Sequence, residues 1–492
     1  MQTKTASPRK DLSGLDRYFH ITERGSTLAR EVRGGIVTFF SMCYIIVLNP
    51  LILGRVPDST GMYLGGGSTP NPAAVAAGTA LVAAIASVLM GGWAKFPLAL
   101  ATGLGLNAFL AYNVVALPGM TWAGAMGLVV LEGIIILILV LTGFRRAVFR
   151  AVPDFLKTAI AVGMGLFIAF IGLFNARFVT EGTGVPVQLG VSGSLQGWPT
   201  AVFVFGLLLM IILWVRRVPG AILISIIAAT LLAMLLEAVF TIGVFKPADD
   251  SSAGNPTGWS MNVPQFSLEQ FAMPDFGTLF TVDPIGGVTA LGAVGAISVV
   301  FSLLLADFFD TMGTMVAVGT EAGLVEEDGD IPFSQRILVA DSAAAILGGM
   351  GGVSSATSYV ESATGVGEGA RTGLASVVTG ICFALSIVLS PLVTLVPYEA
   401  ATPSLVLVGF LMMTQVVDID FQDLATAIPA FLTIILMPFA YSITVGMGAG
   451  FIVYVIIQVI QGHGRRVHPL MYLIAIMFVL YFLRDPLSAL AS

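Results

Sequence analysis

Apolar runs long enough to cross a bilayer, each closed by a short polar turn, recur along nearly the whole chain. Their spacing predicts fourteen membrane segments. The first seven are Ile36–Leu53, Ala73–Trp93, Leu98–Val115, Gly124–Leu141, Thr158–Phe174, Thr200–Val215 and Ala221–Phe240. A polar insert over 241–290 follows, rich in Pro, Asp, Ser and Gly. Seven more segments then run over Leu291–Gly319, Arg336–Met350, Gly348–Gly369, Leu374–Val396, Ser404–Val417, Ala425–Tyr441 and Thr444–Ile460. The last apolar run, Leu470–Leu483, is too short to span comfortably and predicts an interfacial helix. Residues 1–33 are polar and basic, so no cleavable signal opens the chain and the first span is expected to direct its own insertion.

Seven is an odd number, so a second set of seven enters the membrane upside down relative to the first, the inverted repeat of many secondary transporters. The third member of each set is unlike its neighbours. Residues 101–113, ATGLGLNAFLAYN, and 348–369, GGMGGVSSATSYVESATGVGEG, are built of small residues and interrupted by Gly. Such a matched pair is the best sequence pointer to a binding site, because unwound backbone at membrane depth is tolerated only inside protein or along a cavity. Tight helix packing through small residues is the competing explanation. Asn107 in one segment and Ser358, Glu361, Ser362 and Thr364 in the other favour a site.

Composition agrees with the pattern. The 492 residues are 57% hydrophobic and 10% charged, where a soluble chain carries about 25% charged residues. Mean hydropathy is +0.95. Net charge is −7, but its distribution says more than its sum. Of the 22 Lys and Arg, all but Arg55, Arg177, Lys246 and Arg484 fall on one side of the predicted layout, together with Arg145, Arg146, Arg150 and the basic N-terminus. By the positive-inside rule that side is the cytoplasm. Cys43 and Cys382 lie in apolar runs and imply no disulfide, and His20, His463 and His468 lie outside the clear spans. With no His in a span and no visible nucleophile–base pair, an intramembrane enzyme is not expected.

One stretch breaks the apolar pattern. FSLLLADFFDTMGTMVAVG, Phe301–Gly319, carries Asp307, Asp310, Thr311 and Thr314 at positions that share one helix face. A charge at the bilayer centre costs about 2.5–3.5 kcal/mol on insertion scales, so such groups face a cavity or a partner. Asn107, Asp307, Asp310 and Glu361 would then meet near mid-membrane. Carboxylates and an amide suit a flat body with N–H donors and carbonyl acceptors, and repel an anion. A desolvated carboxyl also takes up a proton readily, which supplies a coupling device. No cofactor, metal, covalent chemistry or nucleic acid is called for.

The same residues carry a family resemblance. LADFFDTMGT, SATSYVESATGVGEGARTG, ATGLGLNAFLAY, TFFSMCYIIVLNPLIL, ITERGSTLAREVRGG and MPFAYSITVGMGAGF resemble the AzgA-like purine permeases of the nucleobase–cation symporter (xanthine/uracil permease, nucleobase–ascorbate transporter) superfamily. Thr102 and Leu104 depart from the APGMGLNA usual there. The resemblance implies an all-α polytopic fold of fourteen spans, with short strands in segments 3 and 10. It implies a core domain (36–141 and 291–396) and a gate domain (158–240 and 404–460). Around them lie a cytoplasmic segment 1–35, two repeats at 36–240 and 291–461, an extracytoplasmic loop 241–290 and a tail 462–492. It implies a base bound by Asp307, Glu361 and Asn107. Asp310, Thr311, Ser362 and Thr364 are expected to support the site or the proton path. The implied activity is import of adenine, guanine and hypoxanthine by proton symport and elevator-like alternating access, in the plasma membrane, with a cytoplasmic N-terminus and a homodimer through the gate domain.

Two further expectations complete the reading. An anion carrier of the same fourteen-span architecture, like sulfate and bicarbonate carriers, is the alternative, and the mid-membrane acids argue against it. Glu368 and Arg371 are expected to form a cytoplasmic pair, the acidic run Glu321–Asp330 a solvated loop, and Tyr44, Phe109, Tyr112 and Tyr359 to serve in packing.

Overall fold

The computed structural model describes residues 14–142, 151–182, 184–247, 254–260, 262–266, 273–324, 331 and 333–483. The basic run Arg145–Arg150, the acidic positions Glu326, Glu327, Asp328 and Asp330, and Arg484 lie outside the described residues. The described part is a helical polytopic membrane protein, with ten helical runs long and apolar enough to cross a bilayer.

After a short helix α1 (Gly14–Phe19), the first crossing is α2 (Leu28–Met42) continued by α3 (Ile45–Leu53). Thr27 starts α2 by accepting the Arg30 N–H. Helix α4 (Pro72–Leu89) is capped by Asn71 and ends in a π-helical turn, Met90–Ala94. Strand β1 (Leu100–Thr102) and the six-residue helix α5 (Leu104–Phe109) occupy the third segment, closed by a second π turn at Leu110–Val114. Helices α6 (Trp122–Leu141) and α7 (Asp154–Asn175) follow. A small hairpin, β2 (Val179–Thr180) and β3 (Gln188–Leu189), precedes α8 (Trp198–Val215) and α9 (Ala221–Phe240).

Helix α10 runs over Pro284–Glu321, with Asp283 capping its start and Gly292 (φ 68°) breaking it near the point where the apolar run begins. Helix α11 is Ser334–Met350. Beyond it the expected tenth segment divides. Gly352 (φ 66°) and Ser354 (φ 69°) turn the chain, β4 spans Ala356–Ser358, and α12 is only Ser362–Gly367. Positive φ at Gly352 suits a residue with no Cβ. Then come α13 (Gly373–Ser386), α14 (Tyr398–Ala401), α15 (Pro403–Met413), α16 (Leu424–Phe439), α17 (Ile443–Ile460) and α18 (Pro469–Phe482). The last of these packs on α17 and α10, stacking Phe478 on Phe451 at 5.8 Å and burying Met471 and Ile474.

Small residues set the packing that holds the site. Helix α6 lies against α10 and α11. A Cβ on Gly133 would stand 2.7 Å from Ile346, and one on Gly349 would stand 2.8 Å from Val130. Helix α2 meets α12 and α13, where a Cβ on Gly34 would fall 2.7 Å from the Gly365 carbonyl. Without a hydrophobic drive between helices in lipid, such close approach is what holds them together.

The Glu368–Arg371 pair is not formed. Glu368 takes Arg33 at 2.8 Å, and the Arg371 guanidinium donates to the carbonyls of Val366 and Ala370. Buried Glu31 instead accepts the backbone N–H groups of Arg371 and Thr372, closing the start of α13 onto α2. The tight turn after α12 leaves several carbonyls facing inward, and the long guanidinium reaches those before it can reach Glu368. At the far end of α3, Asp58 accepts from the Thr60 and Met62 backbones, the Thr60 hydroxyl and the Trp122 backbone. Burial pushes this carboxyl up, but those bonds outweigh it and hold Asp58 below the usual carboxylate range.

Candidate binding site at the strand break

Strands β1 and β4 pair antiparallel, 256 residues apart, with Leu100 opposite Ser358, Ala101 opposite Thr357 and Thr102 opposite Ala356. The ladder extends at both ends, Gly103 N–H to Ser355 O and Tyr359 N–H to Ala99 O, each at 3.0 Å. Backbone polar groups at membrane depth need partners inside the protein, and this pairing supplies them where the helices stop. Side chains finish the work. Ser87 bonds both the N–H and the carbonyl of Leu100, and Ser362 accepts the Ala99 N–H at 2.9 Å. Ser362 therefore braces the break. Thr364 does the same, bonding Ser41 and the Glu361 carbonyl.

The polar stripe of α10 faces this break. Thr311 donates to Asp341 on α11 at 2.8 Å, and Ser358 donates to the other oxygen of Asp341 at 2.9 Å. The hydroxyls of Thr311 and Thr357 lie 2.8 Å apart. Since the Thr311 proton goes to Asp341, Thr357 must spend its own on Thr311. That leaves Asp307 with no donor. It is fully buried and neither of its oxygens makes a hydrogen bond. Thr357 and the Glu132 carboxyl approach it without reaching bonding geometry. Asn107, in the second half of α5, donates weakly to Thr102 at 3.3 Å, while its own oxygen stays unpaired and buried.

Glu361 sits at the other end of the stripe. It directly precedes α12, is half-buried, and receives the hydroxyl of Tyr44, which lies in the break between α2 and α3, at 2.6 Å. Asp310 is also half-buried and lies within electrostatic reach of both Glu361 and Asp341. Tyr359 donates to the Thr102 carbonyl at 2.6 Å and stands near Glu361 and Asp310. Asp307 and Thr311 lie by Thr357, and Asp310 lies within electrostatic reach of Glu361. Asn107 bonds Thr102, whose side chain leaves the strand pair on the face opposite Thr357.

Two side chains at the site, Tyr44 and Asp341, and a carboxyl behind it, Glu132, were not anticipated. Tyr44 reads as a packing aromatic because nothing local shows its partner 317 residues away. Asp341 and Glu132 had a signal. Each is a lone acid inside an apolar helix, and the rule that singles out Asp307 applies equally to them. Both are buried, Glu132 with neither oxygen bonded. Chemically, the site presents unpaired acceptors on Asp307 and Asn107, a tyrosine-held carboxyl on Glu361, and hydroxyls around the strand ends. Such a surface accepts N–H donors from a neutral planar ligand.

The profile of a family described as "Permease family" matches residues 29–449. The guanine/hypoxanthine permease PbuG of Bacillus subtilis is 36% identical over 474 residues, covering 95% of this chain and 99% of its own. The adenine permease AdeP of Escherichia coli is 35% identical over 466 residues, 95% of each chain. Among solved structures, the transmembrane domain of a cyanobacterium bicarbonate transporter, BicA, is similar with a TM-score of 0.55 at 15% identity, over 86% of this chain and 97% of that one. At that identity the likeness speaks to fold alone.

Proposed function

The chain belongs to the xanthine/uracil permease family, and from that premise we propose that it imports purine nucleobases (adenine, guanine and hypoxanthine) across the plasma membrane by proton symport. The observation that carries the reading is the set of orphaned acceptors at the strand break. Both oxygens of Asp307 and the amide oxygen of Asn107 are buried without a donor. An unsatisfied buried acceptor costs about 1–3 kcal/mol, more for a charged group, and a purine edge carries the N–H groups that would relieve it. Glu361, oriented by Tyr44, supplies a second carboxyl from the other helix break. The relatives PbuG and AdeP are permeases for guanine and hypoxanthine and for adenine, bases that carry such donors.

Transport follows as alternating access, with the fourteen segments arranged as a core domain carrying the site and a gate domain over which it slides. The strand pair makes the two broken segments move as one body, because separating them would strand the backbone groups of both. The cytoplasmic N-terminus rests on the asymmetry of Lys and Arg. A homodimer through the gate domain rests on the resemblance alone. An anion as cargo would meet Asp307, Asp310, Asp341 and Glu361 together, which is repulsive.

The test is uptake of radiolabelled hypoxanthine and adenine by cells expressing Asp307→Asn or Glu361→Gln. Each variant reaches the membrane at wild-type level and loses uptake by at least tenfold. Wild-type uptake by either variant would remove that residue from the site.

A further inference from the structure

Behind the site lies a carboxyl the binding scheme does not use. Glu132 stands midway along α6, is fully buried, and has no hydrogen bond at either oxygen. The helices packed against α6 here are α10 and α11. The titratable groups they turn toward Glu132 are Asp307 from α10 and Asp341 from α11, with the Ser355 hydroxyl nearby. We propose that Glu132 is the residue that carries the coupled proton, in a buried carboxyl set with Asp307 and Asp341. This deepens the reading above and rests on it.

The argument is one of satisfied and unsatisfied charge. Asp341 holds two hydroxyl donors, from Thr311 and Ser358, and is the member built to stay ionised. Glu132 and Asp307 have four orphan oxygens between them. Two further uncompensated charges beside Asp341, in a medium of low dielectric, would repel strongly, so protons must fill part of the set. A purine that donates N–H groups to Asp307 favours that carboxyl as the anion. The negative charge this adds beside Asp341 is tolerable only if Glu132 is protonated. The loaded, dry set therefore holds one proton, on a Glu132 oxygen, that the emptied set does not: once the base has left, water filling the vacated site solvates the ionised carboxyls, and the Glu132 proton leaves on the side of release.

The experiment uses the full chain in proteoliposomes with a pH dye inside and radiolabelled hypoxanthine as probe. Two assays are run, accumulation under an imposed pH gradient, and hypoxanthine–hypoxanthine exchange with no gradient. Glu132→Gln, a neutral isostere of the protonated acid, should keep exchange within a few-fold and flatten its pH profile. It should lose gradient-driven accumulation and hypoxanthine-linked proton movement by at least tenfold. Glu132→Asp should restore accumulation in part, with a displaced pH profile. Gradient-driven accumulation by Glu132→Gln at the wild-type level would overturn the assignment while leaving the purine reading standing. Loss of exchange together with accumulation, in a variant that elutes as one species, would also overturn it, placing Glu132 in the bracing of the site. A wild-type protein that moves no purine would remove the reading itself and this proposal with it.

Discussion

Asp307 and Glu361 differ in how much of their role the sequence shows. Asp307 announces itself, because an acid inside the apolar run Leu291–Gly319 has no cheap alternative to a partner or a ligand. Its immediate environment was not legible, since the loss of a donor from Thr357 depends on a chain of hydroxyls drawn from α10, α11 and β4. Tyr44 was missed for the same reason: its meaning lies in a 2.6 Å bond to Glu361, and only the fold brings α2 beside α12. Tyr44→Phe keeps the ring and removes the bond. A hydrogen bond to a charged group contributes about 1.5–3 kcal/mol, so hypoxanthine affinity should fall by about tenfold or more with expression unchanged. Equal Kd values for variant and wild type, from equilibrium binding of labelled hypoxanthine, would show that Glu361 orients itself without Tyr44.

At the scale of elements, the two Gly-interrupted segments were legible as special because small residues and polar side chains coincide there. Their division was less so. The tenth segment reads as one run over 348–369, yet its first residues finish α11 and its last form α12. Periodicity cannot place such a boundary, because a three-residue strand holds less than two strand repeats and less than one helical turn. The eighth segment likewise starts earlier than its apolar run, since Asp283 and Pro284 begin the helix before hydropathy rises. What fixes α12 is contact with α2. A Cβ on Gly365 would lie 2.5 Å from the Gly34 carbonyl and closer still to the Thr38 hydroxyl, whereas one on Gly367 meets nothing within 4 Å. Overpacking of this kind costs about 1–3 kcal/mol or more. Gly365→Leu should lower the thermal unfolding temperature by several degrees and reduce uptake, while Gly367→Ala should leave both unchanged. Equal melting curves for Gly365→Leu and wild type would mean that α2 and α12 are not held by this approach.

Over the whole molecule, membrane class and the matched pair of Gly-interrupted segments could be argued from hydropathy and glycine placement, whereas the strands that join those segments came only from the family resemblance. Contacts between distant spans could be argued from neither. Asn113 donates to the Tyr441 carbonyl at 2.6 Å and accepts the Ile443 N–H at 3.0 Å, pinning the turn between α16 and α17 to the end of the third segment. Asn175 donates to Tyr112 beside it, and Tyr398 reaches the Leu51 carbonyl. A cavity of about 190 Å³ lined by Phe109, Tyr112, Asn113, Tyr441 and Thr444 opens at this seam. These bonds tie the third segment to α7 and α17, and α3 to α14. The central claim is that the carboxyl-lined break is a purine site driven by protons. Its most direct measurement is uptake of labelled hypoxanthine by the reconstituted chain under an inward proton gradient, with unlabelled adenine, guanine, sulfate and bicarbonate as competitors. The account predicts concentrative uptake that the purines displace, the anions do not, and a protonophore abolishes. Uptake indifferent to the protonophore and displaced by bicarbonate or sulfate would contradict it.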